Sequence, residues 1–235
     1  GTTNASLPSA YDWNVSVSLG GSSTGWSVGK DTSALHPLVI VGDYLLCIQG
    51  SFGGHVGDAR AVLTTDPANI TAINLKPGMI GQTLWTKSYP QAPGNNTRLL
   101  TGWDPSNGVF IFSDKESMVH YGYSTADGSL LWGPTSVLDD PYVDWDQQSL
   151  WYEQVAYGKL YTFGYSGILY CYDDKTGDLL WTYGNGGAGN STYSGLVTPY
   201  GRFPVFISTI ADNKVYLTTT EHSPDSPLYK GALLR

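Results

Sequence analysis

Basic residues are scarce in this chain of 235 residues. Lysine and arginine together number 12, against 20 aspartates and glutamates, and the formal net charge is −8. Nucleic-acid phosphates and anionic membrane surfaces are bound by clusters of lysine and arginine, so the composition argues against both kinds of partner. No apolar run approaches the roughly 20 residues of a membrane-spanning helix, and we predict no membrane span.

Helix-forming residues and cysteine are also few. Glutamate occurs three times, methionine twice and cysteine twice, whereas the chain holds 29 glycines, 17 tyrosines and eight tryptophans. Aromatic residues favour strands and glycine favours turns, so the composition predicts an all-β fold. Cys47 and Cys171 lie far apart in two apolar stretches and are predicted to be buried free thiols, which leaves the cellular compartment open.

One pattern recurs along the chain. Residues Tyr170–Trp181 consist of a strand, a tight turn and a second strand that ends on tryptophan, and His120–Trp132 and Ile73–Trp85 are similar. The three tryptophans are 47 and 49 residues apart. A period of roughly 40–50 residues made of short strands is typical of a propeller blade. We therefore predict a β-propeller of four-stranded antiparallel blades.

The repeat positions are predicted to be structural. A tryptophan offers a large apolar ring and one N–H group, which suits docking between adjacent blades. Glycine accepts the positive φ of a sharp turn. These roles are assigned to Trp13, Trp85, Trp132, Trp181, Gly128 and Gly177, with Trp13 in an alternating strand, Tyr11–Leu19, of the kind that ends a blade.

The repeat also predicts how the chain is divided. Residues 1–35 are expected to hold the last strand of a preceding blade and a linker, and residues 36–90, 91–137 and 138–190 one blade each. Residues 191–235 are expected to form an incomplete blade. About four blades would then be present as part of a larger ring; the alternative is a compact four-bladed ring in which Tyr11–Leu19 completes the last blade.

The elements Tyr172–Trp181 and Ser124–Trp132 resemble the repeat of the pyrroloquinoline-quinone-like β-propeller superfamily. That repeat has an aliphatic-aromatic strand, an Asp-x-x-Thr-Gly turn and a Leu-Trp strand. The resemblance covers residues 70–183 well and the flanks loosely. The superfamily holds quinoprotein dehydrogenases, outer-membrane assembly scaffolds and surface proteins without known activity, and the expectation here is the non-enzymatic surface or scaffold branch.

The resemblance assigns no catalytic or cofactor-binding residue. A quinoprotein dehydrogenase of this kind would carry an adjacent cysteine pair, a catalytic aspartate, a calcium site and a stacking tryptophan, and neither a Cys-Cys pair nor a matching catalytic segment occurs. The quinone is not expected. The rival interpretation is a quinone-dependent dehydrogenase or a carbohydrate-active enzyme whose active site lies outside these residues.

The histidines form no catalytic pattern. His55 lies near Asp58 in a glycine-rich stretch, but no nucleophile accompanies them, and a loop is the better interpretation. His36, His120 and His222 are isolated and lack metal-ligand spacing.

An acidic segment is the candidate metal site. Asp140, Asp144 and Asp146 lie close together in residues 138–149, and calcium prefers such oxygen ligands. The spacing does not match an EF-hand loop, and a solvated acidic loop is the alternative. No other cofactor is expected.

Asparagines in glycosylation sequons are frequent. Five of the ten asparagines fit N-x-[ST], which is typical of exported glycoproteins, although a chain rich in serine and threonine also produces sequons by chance. The five are Asn4, Asn14, Asn69, Asn95 and Asn190. We predict an extracellular or cell-surface location.

Several aromatic residues fall outside the repeat position and offer faces for stacking on sugars, with blade packing as the alternative: Trp26, Trp103, Tyr142, Trp145, Trp151 and Tyr152. The expected function is a non-catalytic exported scaffold that binds a protein or a glycan at the cell surface. The alternative is a subunit of an extracellular assembly, completed by neighbouring chains or by self-association.

Overall fold

The computed structural model describes residues 36–49, 62–63, 68–90, 92–96, 98–114, 117–136, 154–163, 168–184, 197–198, 201–202, 205–220 and 232–234. In these ranges the regular elements are β-strands and one three-residue 3₁₀ turn, Pro93–Asn95. No helix in the described part of the chain is long and apolar enough to cross a membrane.

Most strands belong to four antiparallel sheets, which we call blades 1 to 4. Blade 1 contains β1 (His36–Val41), β2 (Tyr44–Gln49), β4 (Ala68–Asn74) and β5 (Thr83–Tyr89). Blade 2 contains β6 (Arg98–Asp104), β7 (Val109–Asp114), β8 (Val119–Ser124) and β9 (Leu130–Trp132), with the short strand β3 (Val62–Leu63) added beside β6.

Blade 3 contains β10 (Gln154–Ala156), β11 (Lys159–Thr162), β12 (Leu169–Asp173) and β13 (Leu179–Tyr183). Between blades 3 and 4, β14 (Val197–Thr198) and β15 (Gly201–Arg202) form a separate pair. Blade 4 contains three described strands, β16 (Val205–Ala211), β17 (Lys214–Thr220) and β18 (Ala232–Leu234).

Strands alternate the face on which each side chain lies, and the blades use both faces. In β7, Phe110 and Phe112 pack in a core shared with blade 1, whereas Val109 and Ile111 pack in a second core shared with blade 3. All four side chains are fully buried. A strand buried on both faces is nearly continuously apolar, which explains the Val-Phe-Ile-Phe run.

The same alternation continues in β12 of blade 3. Tyr170 and Tyr172 belong to the core between blades 2 and 3, and Leu169 and Cys171 belong to a third core between blades 3 and 4. Three apolar cores thus separate four sheets stacked face to face in chain order. This arrangement of four-stranded antiparallel sheets is the β-propeller fold.

The strand β3 departs from the expected order. Residues 36–90 were predicted to form one blade, yet Val62 and Leu63 pair with Leu99 and Arg98 of blade 2. A strand of two residues is too short to show a repeating pattern in the sequence. Its pairing is determined by the closeness of the two blades.

Candidate interaction site

The junctions between blades position the chemistry-bearing side chains. In each of blades 1 to 3 a turn precedes the outer strand, and a glycine stands four residues before the tryptophan of that strand. In blades 2 and 3 these glycines are Gly128 and Gly177, with φ of 69° and 74°. Such φ values favour glycine.

Trp132 of blade 2 packs on the turn of blade 3. Its Nε1 donates a hydrogen bond of 2.8 Å to the carbonyl oxygen of Asp174, and a Cβ atom added at Gly177 would lie 2.4 Å from Trp132 Cε3. The side chain is 8% exposed. Gly177 is therefore needed both for its backbone conformation and for the close approach of the indole.

Trp85 of blade 1 packs on the turn of blade 2 in the same way. A Cβ atom at Gly128 would lie 2.9 Å from Trp85 Cζ3 and 2.6 Å from Tyr89 Oη. Here the hydroxyl of Tyr89 donates the hydrogen bond, 2.8 Å to the carbonyl oxygen of Gly128.

Each repeat tryptophan faces a small residue across its own sheet. Ala72, Gly122 and Cys171 pair with Trp85, Trp132 and Trp181. At Gly122 a Cβ atom would lie 2.2 Å from the Trp132 ring. The small partner lets the indole lie close to its own sheet.

Polar bonds add to these junctions. Tyr44 Oη donates a hydrogen bond of 2.9 Å to Thr125 Oγ1 in blade 2, and Asn107 Nδ2 donates one of 2.6 Å to Asp174 Oδ1 in blade 3. Thr125 and Asp174 occupy equivalent positions in their turns. The backbone N–H of Thr125 donates to the carbonyl oxygen of Gly108, and that of Asp174 donates to the carbonyl oxygen of Gly158.

Asp104 and Asp174 form a carboxyl pair at the junction of blades 2 and 3, and their side chains hydrogen-bond each other. Burial, opposed by the Asn107 bond and aided by Asp104, raises the pKa of Asp174 to about 6. Burial acts to raise the pKa of Asp104 too, but its hydrogen bonds with Asp174, Ser106 and Asn107 outweigh burial, and that pKa is lowered. When the pair binds one proton, below about pH 6, Asp174 is therefore the carboxyl that carries it.

Ser113 and His120 form a pair that the sequence did not indicate. Ser113 Oγ and His120 Nδ1 are 2.7 Å apart, and both residues are fully buried. Burial lowers the pKa of His120 to about 3, so the imidazole is neutral near pH 7. A nucleophile and base need access to substrate, so this pair is a structural hydrogen bond between β7 and β8.

The junction of blades 3 and 4 contains an apolar core, and a cleft lies beside it at Trp181. The cleft has a volume of about 660 Å³ and is lined by aromatic rings of blade 3 and by residues of β17 and its preceding turn. Trp181 is 40% exposed, in contrast to Trp132. The ring centroids of Tyr161 and Trp181 are 6.0 Å apart. The aromatic lining residues are Tyr157, Tyr161, Trp181 and Tyr183, accompanied by Lys159 and Asn213.

Tyr157 projects from the β10–β11 hairpin at the rim of this cleft. It is half exposed and has φ of 53°, a conformation that costs roughly 1–2 kcal/mol for a residue other than glycine. Such strained residues cluster at functional sites. Tyr157 also lines a neighbouring cleft of about 550 Å³, together with Trp103 and Asn107.

The residues singled out from sequence fall in different places. Trp85 and Trp132 lie between blades, Trp181 lies at the open cleft, and Gly128 and Gly177 lie beneath the two docked indoles. Asn69 lies in β4 and is half-buried, and Asn95 ends the 3₁₀ turn. Cys47 and Cys171 are buried free thiols. Outside the described residues lie Asn4, Trp13, Asn14, Trp26, His55, Asp58, Asp140, Tyr142, Asp144, Trp145, Asp146, Trp151, Tyr152, Asn190 and His222.

The cleft was not predicted, because Trp181 was interpreted as a structural repeat residue and no sequence pattern marked the tyrosines beside it. Among the described residues, the partial exposure of Trp181 and Tyr157 is visible only in the folded chain. Among those same residues, no group of three acidic, histidine or cysteine side chains is placed to hold a metal ion.

No protein-family model matches the sequence, and no curated protein matches it. Among solved structures, the chain is similar to the computationally designed Ika4 protein, at 12% identity and a TM-score of 0.42, with 86% of this chain and 90% of that chain covered. It is similar to BamB from Moraxella catarrhalis, at 14% identity and a TM-score of 0.36, with 84% and 62% covered.

A third similar structure is the quinohemoprotein alcohol dehydrogenase ADHIIG from Pseudomonas putida HK5, at 13% identity and a TM-score of 0.32, with 74% of this chain and 29% of that chain covered. The chain thus spans less than two thirds of BamB and of the dehydrogenase. These low scores say nothing about activity, and the assignment of the fold rests on the chain's own blades.

Proposed function

We propose that this β-propeller is a non-catalytic scaffold, exported to the cell surface, that binds a protein partner through the cleft beside Trp181. The cleft supports this proposal, because it presents the partly exposed aromatic rings of Tyr157 and Trp181. Aromatic residues in a concave site are frequent anchors of protein interfaces.

The burial of the other reactive side chains supports a scaffold function rather than an enzymatic one. Ser113, His120, Asp114 and Asp174 are buried at 1% exposure or less. They take part in hydrogen bonds within or between blades, where they stabilise packing.

A photo-crosslinking residue in place of Tyr157, in protein expressed in its source cells, tests the proposal. We expect a discrete crosslinked protein, lost when Trp181 is also changed to alanine. The same residue in place of Leu131, which is exposed on blade 2, is the control. A bound-quinone absorbance in the isolated protein, or substrate turnover, would contradict the scaffold.

A glycan is the second candidate ligand, because aromatic faces such as those of Tyr157 and Trp181 stack on sugar rings. Quenching of tryptophan fluorescence by neutral oligosaccharides tests it, with Trp181→Ala as the control. Quenching that survives this substitution would remove the cleft as the sugar site.

A further inference from the structure

The junction of blades 2 and 3 holds two carboxyl groups in contact. Asp104 ends β6 and Asp174 lies in the turn after β12, and their side chains are within hydrogen-bonding reach of each other. Asp174 is fully buried and Asp104 is 9% exposed. Asp173 adds a third negative charge that acts on Asp174. Carboxylates brought together out of water repel each other, so a positive charge between them would stabilise the junction.

One oxygen of Asp174 has no hydrogen-bond donor. Its Oδ1 accepts the 2.6 Å bond from Asn107 Nδ2, whereas its Oδ2 is buried and accepts no hydrogen bond from the described residues. A buried carboxylate oxygen without a partner is costly, and in folded proteins a bound water or ion commonly fills that role. Of the two, only a cation also offsets the negative charge.

The groups that surround the pair satisfy hydrogen bonds without neutralising charge. Among the described residues, neither Asp104 nor Asp174 forms an ion pair. The donors to Asp104 Oδ1 are the backbone N–H groups of Ser106 and Asn107, at 2.8 Å and 3.3 Å. These groups and the Asn107 amide are neutral, so the charge of the two carboxylates is left uncompensated.

The preceding junction shows that docking does not require carboxylates here. Thr125 occupies the position of Asp174 in the turn of blade 2 and accepts a hydrogen bond of 2.9 Å from Tyr44 Oη. One bond between two hydroxyl groups therefore serves where blades 1 and 2 meet. Where blades 2 and 3 meet, two acids add a negative charge that the packing does not need and that a cation site does.

We propose that Asp104 and Asp174 bind a calcium ion between blades 2 and 3. Carboxylate oxygens are ligands that calcium prefers, and calcium tolerates irregular coordination. Asp104 also lines the cleft of about 550 Å³ between the hairpins of the two blades, so the ion reaches the pair from solvent and water completes its coordination shell. With only two protein carboxylates, we expect a Kd of about 10⁻⁴–10⁻³ M, the range of extracellular calcium modules.

Terbium luminescence tests the site, with terbium as the probe and calcium as the competitor. Trp132 Nε1 donates 2.8 Å to the carbonyl oxygen of Asp174, so this indole lies beside the site and can transfer excitation to terbium. We expect saturable emission that calcium displaces. Asp174→Asn should weaken calcium binding about tenfold or more, because it removes one of two charged ligands. Asp178→Asn is the matched control, since Asp178 is an exposed carboxylate of the same turn.

Urea denaturation gives a second measurement. A ligand that binds only the folded chain shifts the unfolding equilibrium by the factor 1 + [L]/Kd, so about 10 mM calcium should lower the unfolding equilibrium constant of the chelator-treated protein about 10- to 100-fold. Asp178→Asn should show the same shift and Asp174→Asn should not. Equal protection by sodium chloride at the same ionic strength would overturn the inference, because screening alone would then explain it.

The acidic segment of residues 138–149 provides the sharpest contrast. Calcium binding that Asp144→Asn abolishes and Asp174→Asn leaves unchanged would overturn the inference and assign the ion to that segment. Wild-type protein that shows neither calcium-displaceable emission nor a calcium-dependent shift in unfolding would overturn it as well. None of these outcomes decides the scaffold function, which crosslinking at Tyr157 tests separately.

Discussion

Glycine is the residue on which the inter-blade contacts depend most directly. Gly128 and Gly177 combine a positive φ with an aromatic ring in the space where a Cβ atom would lie. Gly78 has a positive φ as well, but its surroundings are empty within 4 Å. Substituting one glycine of each kind therefore separates the cost of the backbone conformation from the cost of displacing the packed ring.

Gly177→Ala should lower the free energy of unfolding more than Gly78→Ala. Both substitutions place alanine at a positive φ, which costs roughly 1–2 kcal/mol. Only Gly177→Ala also displaces the Trp132 ring, and overpacking adds about 1–3 kcal/mol. Urea denaturation measures the difference, and equal losses would show that the indole does not depend on this glycine.

Two buried titratable groups affect the acid stability of the protein in opposite directions. The pKa of Asp174 rises from 3.8 to about 6, so between these values the folded chain keeps a proton that the unfolded chain releases, and its contribution to stability falls as pH rises. The pKa of His120 falls from 6.5 to about 3. Below pH 6.5 the unfolded chain takes up a proton that the folded chain excludes, so stability falls as pH falls.

Asp174→Asn should remove one of these effects. The amide can still accept from Asn107 and donate to Asp104, so it mimics the protonated acid. At pH 7 we expect a gain of about 1–3 kcal/mol in the free energy of unfolding, and between pH 6 and pH 4 a steeper loss than in the wild type, because the His120 effect is no longer offset. Urea denaturation across this pH range measures both. An unchanged pH slope would contradict the assignment of the proton to Asp174.

Strands are adapted to docking by a recurrent irregularity. The pairing of the two outer strands shifts between Ala72 and Ile73 in blade 1, between Gly122 and Tyr123 in blade 2, and between Cys171 and Tyr172 in blade 3. A bulge changes the side to which following residues point. It leaves Leu84, Leu131 and Leu180 exposed, each immediately before its tryptophan.

A buried ion pair links β6 and β7 in blade 2. Arg98 Nε and Asp114 Oδ1 are 2.7 Å apart, and Arg98 Nη2 and Asp114 Oδ2 are 2.8 Å apart. Arg98 also donates 3.0 Å to the carbonyl oxygen of Pro90 and lies over the ring of Tyr121. The arginine thereby fixes the connection that enters blade 2.

Arg98→Met should cost about 3–5 kcal/mol, because it leaves the Asp114 charge buried and unpaired. Asp114→Leu in the same chain should restore much of that loss. A double-mutant cycle measured by urea denaturation gives the coupling, and strictly additive losses would contradict a paired charge. Arg98→Lys tests the bidentate geometry, which lysine cannot reproduce.

For the whole molecule, the proposed export to the cell surface is tested through glycosylation. Glycopeptide mapping of protein from its source should find hexose-bearing peptides at sequon asparagines, of which Asn69 and Asn95 lie in described elements. Asn107 and Asn213 lie outside sequons and serve as internal controls. Five unmodified sequons would argue against export through a glycosylating pathway.

The sequence by itself determined the all-β fold and most strand positions. The 47- and 49-residue spacing of Trp85, Trp132 and Trp181 and the turns at Gly128 and Gly177 are local patterns, and local hydrogen bonding and side-chain alternation suffice to predict strands from them. The hairpins at Gly42–Asp43 and at 104–108 likewise have local turn residues, glycine, aspartate, asparagine and proline.

Only the tertiary structure decided which groups meet across blades. Asp104 and Asp174 are 70 residues apart in the chain, and the Arg98–Asp114 and Ser113–His120 pairs depend on the register of β6, β7 and β8. The exposure of Trp181 likewise depends on what packs against it, since its local sequence repeats that of the buried Trp132. A repeat fixes the shape of each unit, but the neighbour of each unit determines whether the same residue stabilises a core or lines a cleft.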